Sequence, residues 1–137
     1  MDQWNRERVS VATSLLVVSP SESLGDSLAS ELPRDRFHVW YARPGAQVLG
    51  AVVGSRPQIA IVDAIDARPE AAQLEIALLK SVCPEARVIV VSGCSSGADA
   101  SVVEQGVFYY VAAPSEGELV RAVESAAAAG RSETQEL

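Results

Sequence analysis

The chain has 137 residues, 48% of them apolar and 21% charged, with 9 glycines and 7 prolines. That length and apolar content fit one globular domain, large enough to fold without disulfides or a structural metal. Eleven Lys and Arg against 18 Asp and Glu give a net charge of −7. This is the wrong sign for gripping a phosphate backbone, so direct nucleic-acid binding is not expected.

Cys83 and Cys94 form no CxxC pair, and His38 is the only histidine, which leaves too few ligands for zinc. Both thiols read as small buried side chains in a reducing, cytoplasmic setting. No apolar run approaches the ~18 residues that span a bilayer, so no membrane association is expected. Arg6 and Arg8 precede an apolar stretch, but Glu7 interrupts the positive charge and Ser10, Thr13 and Ser14 interrupt the apolar region, which reads as a first strand instead of a leader.

The elements alternate along the chain. Residues 1–12 form a polar tail, and a strand is expected over 14–18 (SLLVV). A helix follows, with Ser23 and Asp26 resembling a capping box, Leu24, Leu28 and Leu32 on one face, and Pro33 as its stop. The second strand covers 37–41, with Trp40 expected to pack. The second helix starts near Pro44, carries Val48, Leu49, Val52 and Val53 as its buried stripe and ends at Gly54. The third strand, 59–62 (IAIV), is apolar throughout and closes on Asp63, as suits a strand covered on both faces.

The third helix begins near Pro69, turns Ala71, Leu74, Leu78 and Val82 inward and ends before Pro84. A buried strand is expected over 88–91, a short helix over 98–105 ending at Gly106, and a fifth strand over 108–112 (FYYVA). Ser115 and Glu118 form an S-x-x-E capping box for the last helix. Its buried face is Leu119, Ala122, Val123 and Ala126, and it fades into Gly130 and a polar tail over 131–137. The domain is therefore read as 13–130. Five β-α units with buried strands predict an α/β fold: a doubly wound parallel sheet of order 2-1-3-4-5 with helices on both faces. Any site in such a sheet lies just beyond the carboxyl ends of the strands.

Ser19 to Glu22, Asp63, Ser92 with Gly93, and Ala113 with Pro114 stand at that edge. Over residues 13–129 this spacing resembles the receiver domain of bacterial two-component response regulators, which have a flavodoxin-like fold. The segment PQIAIVD resembles that family's phospho-acceptor strand and places Asp63 at the acceptor position. Ser92 matches the hydroxyl that contacts the phosphoryl group, Gly93 its small neighbour, and Gly106 the usual glycine before strand five. Tyr110 matches the aromatic position that follows phosphorylation, and Pro114 the proline after strand five. The resemblance implies a magnesium held by an acidic pair after strand one and a lysine before that proline.

The chain departs from the family where the chemistry is done. Ser19 and Pro20 stand in place of the acidic pair, and Ala113 in place of the lysine. Phosphoryl transfer to a carboxylate brings two anions together, and a metal and a cation normally neutralise the developing charge. Magnesium seeks several hard anionic oxygens, so its binding here is expected to be weak or absent, with Asp63 and Glu22 as weak candidate ligands and Asp26 one turn further on. Lys80, the only lysine, falls at the opposite edge of the sheet.

The expectation is thus an atypical, pseudo-receiver module with no catalytic residues and no cofactor. It would bind protein partners in bacterial signalling through the face made by segment 98–105, strand five and the last helix, including Val102, Val103, Tyr110, Glu118 and Arg121. The same face could pair two copies. One alternative is a working receiver phosphorylated on Asp63 with a non-standard metal site. Another is a small-ligand or flavin mononucleotide domain using the hydroxyl-rich loop from Ser19 to Gly25 (SPSESLG) as an anion cradle. No P-loop, nucleophile elbow or Ser/His/Asp set suggests an enzyme.

Overall fold

The computed structural model describes residues 12–64, 69–92, 107–112 and 117–136. Five strands, β1 (Thr13–Val18), β2 (Phe37–Ala42), β3 (Ile59–Asp63), β4 (Arg87–Ser92) and β5 (Tyr109–Ala112), form one sheet. Its order is β2-β1-β3-β4-β5 and every neighbouring pair is parallel. Four helices are described: α1 (Ser23–Glu31), α2 (Ala46–Ser55), α3 (Pro69–Val82) and α4 (Glu118–Glu136).

Alternation along the strands divides the core in two. Leu15, Val17, Ile59, Ile61, Ile89 and Val91 turn to one face, where Leu28 of α1 and Leu119 and Val123 of α4 cover them. Leu16, Val18, Ala60, Val62, Val88 and Val90 turn to the other, beneath Val48 and Val52 of α2 and Ile76 and Leu79 of α3. β1 and β3 are buried on both faces, which is why their sequences are apolar without alternation.

Several details differ from the sequence reading. Ser23 is the first helical residue of α1, not its cap; Glu22 occupies the cap position with αR geometry and no side-chain bond. The chain turns one residue pair earlier, because the Ser21 hydroxyl takes the Ser23 amide. In α2 only Val48 and Val52 of the expected stripe are buried; Leu49 and Val53 are exposed. The helix starts after Gly45 (φ 103°) and closes on Arg56, a non-glycine residue in the left-handed region (φ 46°).

α3 is rotated by about one residue from expectation. Ala72, Ile76 and Leu79 are buried and Leu78 is half-buried, while Ala71, Leu74 and Val82 face solvent. Two overlapping apolar stripes satisfy helical periodicity in this segment, and only the packed sheet selects between them. α4 runs through Gly130 to Glu136: a single glycine costs only about 1 kcal/mol, and the residues after it include good helix formers. Trp40 is 46% exposed on the edge strand β2 instead of packed, and Cys83 is half-buried, its thiol on the Pro57 carbonyl at 3.4 Å.

Candidate functional site at the carboxyl edge between β1 and β3

The winding of the sheet reverses between β1 and β3, and folds of this order bind ligands in the crevice at that point. Val18 pairs in register with Val62, so the next residue on each strand, Ser19 and Asp63, meet across the crevice. The Ser19 side chain is fully buried, and its Oγ donates to Asp63 Oδ2 at 2.8 Å. Both backbones are fixed from outside the crevice. The Ser19 amide donates to the Ala42 carbonyl of β2 at 3.1 Å, while Asp63 pairs with Val91 of β4 and the following Ala64 amide donates to the Val91 carbonyl at 2.7 Å.

The direction of the serine proton follows from a second bond. The Ser21 amide donates to Ser19 Oγ at 3.2 Å, so the oxygen acts as acceptor there and the hydroxyl proton turns to the carboxylate. The pattern repeats at the next pair: the Ser23 amide donates to Ser21 Oγ at 3.2 Å, and the Ser21 and Ser23 hydroxyls lie 3.0 Å apart. Two successive serine turns therefore carry the chain from β1 into α1. They occupy the Ser21 and Ser23 amides, donors that an anion cradle in loop 19–25 would need, and the exposed Glu22 places a negative charge beside them.

This donor set does not fit magnesium. Where two carboxylates would supply anionic oxygens, the crevice holds one hydroxyl, and that hydroxyl donates its proton to Asp63. Glu22 and Asp26 are exposed at the start of α1, and no group of three or more His, Cys, Asp or Glu suited to a metal occurs among the described residues. The hydrogen bond also draws on a lone pair of the oxygen it reaches, so Asp63 is a weaker nucleophile than an open carboxylate. Lys80 lies in the last turn of α3, at the end of that helix away from the crevice.

The other expected site residues are placed in part. Ser92 ends β4 in register with Ala112, and Tyr110 pairs with Val90; the side chains of Ser92, Tyr109 and Tyr110 lie outside what the structure describes. Cys94, Gly93, Val102, Val103, Gly106, Ala113, Pro114, Ser115 and the helix expected over 98–105 lie outside the described residues. Glu118 and Arg121 stand in the first turns of α4, half-buried and exposed respectively. The direct bond between Ser19 and Asp63 was missed in the sequence, where Ser19 counts only as a lost acid. Its signal was available: two parallel strands expected side by side are followed or closed by Ser and Asp at the same edge, and S-x-S-x-S allows the first two serines to accept an amide two residues on.

No family model matches the sequence, and no curated protein matches it significantly. Solved structures do match. A signal receiver domain of a Luxo repressor protein from Vibrio parahaemolyticus, described as putative, superposes with a TM-score of 0.76 at 15% identity, over 90% of this chain and 96% of that one. A response regulator from Thermotoga maritima gives 0.72 at 19% identity, over 85% and 98%. A response regulator from Burkholderia pseudomallei, solved with a phosphorylated aspartic acid, a calcium ion and citrate, gives 0.69 at 24% identity, over 89% and 72%. The chain has the fold of the receiver domains of response regulators, with a serine hydroxyl bonded to the strand-three aspartate.

Proposed function

We propose that this chain is an atypical receiver module of two-component or phosphorelay-type signalling that binds protein partners without being phosphorylated. The observation that supports this reading is the 2.8 Å bond from the fully buried Ser19 hydroxyl to Asp63. It engages the acceptor position of the fold with a protein donor where a metal-bound phosphoryl group would sit. Receiver-fold neighbours that include a phosphorylated protein supply the signalling context. The domain begins at residue 13 and includes the whole of α4, to Glu136; it works in the cytoplasm and uses no cofactor. Partners dock on the side of β5 and α4, where Arg121 is exposed.

The test is incubation with a small acyl-phosphate donor and magnesium, followed by phosphate-affinity electrophoresis. Wild type and Asp63→Ala should migrate identically before and after treatment. A retarded band in wild type that Asp63→Ala abolishes would establish a working receiver instead.

A further inference from the structure

α2 and α3 lie side by side on one face of the sheet, and Glu75 Oε1 accepts the Gly45 amide at 2.8 Å, so the Glu75 side of α3 faces α2. Ala71, Leu78 and Val82, at i−4, i+3 and i+7 from Glu75, share that side. Both helices run back along the parallel sheet in the same direction, so α2 turns the opposite side of its own wheel toward α3, the side of Leu49 and Val53. Leu49, Val53 and Val82 are 46%, 71% and 39% exposed, three of the six exposed large apolar side chains among the described residues. With Ala71 and half-buried Leu78 they line an apolar groove between the helices, while Leu74 points outward from α3 beside it.

The chain enters the sheet at the mouth of this groove. The Ser14 amide donates to Gln58 Oε1 at 3.0 Å and the Gln58 amide to the Ser14 carbonyl at 2.9 Å, while the Cys83 thiol donates to the Pro57 carbonyl at 3.4 Å. Pro57 and Gln58 follow the end of α2 and Cys83 follows the end of α3, so β1 starts where the two helices finish. The segment MDQWNRERVSV precedes Ala12 and carries Trp4, Val9 and Val11 among its polar residues.

We propose that residues 1–11 fill the groove, with Trp4 seated between Val53 of α2 and Leu78 and Val82 of α3. The reach is sufficient. From Ala12 back to Trp4 an extended chain covers about 26–29 Å, whereas the ten residues of α2 span about 15 Å, which leaves residues to turn from the sheet edge onto the helices. Tryptophan is the side chain most suited to anchor such a segment, since it buries a large apolar area at the cost of two rotatable bonds. A second copy of the chain would compete with a segment held by its own tether at roughly millimolar effective concentration. The groove lies on the face of the sheet opposite α1 and α4, so its filling is independent of phosphorylation and of docking beside β5.

The full chain carrying Trp40→Phe, in which Trp4 is the sole tryptophan, tests the proposal by fluorescence. Its emission should be blue-shifted, and its quenching by acrylamide several-fold weaker, relative to a synthetic peptide of residues 1–11. Val53→Glu in this background should return both readings to those of the peptide, and Val82→Glu on the opposite wall should do the same, with far-UV circular dichroism unchanged. Leu74→Glu, at an equally exposed position outside the groove, should leave them as they were. Readings equal to the peptide's before any groove substitution, insensitivity to both Val53→Glu and Val82→Glu, or a response to Leu74→Glu as large as theirs would each overturn the proposal. A blue shift lost on dilution would also overturn it, by placing Trp4 on another copy.

Discussion

Replacing Ser19 by alanine removes one oxygen from the crevice and two hydrogen bonds with it. The bond to the Asp63 carboxylate, made by a fully buried hydroxyl at 2.8 Å, belongs to the charge-assisted class worth about 1.5–3 kcal/mol. The bond accepted from the Ser21 amide starts from an exposed residue, where water can replace the serine, and adds at most about 0.5 kcal/mol. Ser19→Ala should therefore destabilise the domain by about 2 kcal/mol in urea denaturation, with an unchanged m-value. A double-mutant cycle with Asp63→Ala isolates the pair, and its coupling energy should be about 1–2 kcal/mol. A Ser19→Ala loss below about 0.5 kcal/mol, or coupling indistinguishable from zero, would refute the account of the crevice.

Three further substitutions test the fold around it. Arg56→Gly removes a left-handed non-glycine residue at the end of α2, relief worth about 1 kcal/mol less a few tenths for the lost charge near the helix terminus, so thermal stability should rise. Ile76→Ala should cost about 2–5 kcal/mol and Leu74→Ala under about 0.5 kcal/mol, since the first is fully buried and the second 72% exposed; the reverse order in chemical denaturation would restore the stripe expected from sequence. Gly25→Ala places a methyl group 3.8 Å from the Tyr41 ring, an ordinary contact, and should stabilise α1 by about 0.5–1 kcal/mol; a lower melting temperature would show that α1 and β2 are packed more tightly than described.

The strand order and the place of Asp63 at the carboxyl edge were legible because a continuous apolar run such as IAIV suits a strand covered on both faces, and the residue closing such a run then lies at that edge. The faces of α2 and α3 were less legible. Both helices are apolar on more than one side, so periodicity admits several stripes, and the choice between Leu74 and Ile76 is made by the sheet. The end of α4 was misjudged because Gly130 was weighted above the helix formers after it. Ser19 shows a different limit. Judged against the acid it replaces, it reads as a loss, whereas its fully buried position beside Asp63 makes it a hydrogen-bond donor.

The most direct measurement is an amide NMR titration of wild type and Asp63→Ala with magnesium and then beryllofluoride, a phosphoryl mimic. With the Ser19 hydroxyl on Asp63, the resonances of Ser19, Asp63, Ser92 and Tyr110 should stay in place at both steps and in both proteins. Saturable shifts at these positions in wild type that vanish in Asp63→Ala would show a site open to metal and phosphoryl group, contradicting the account.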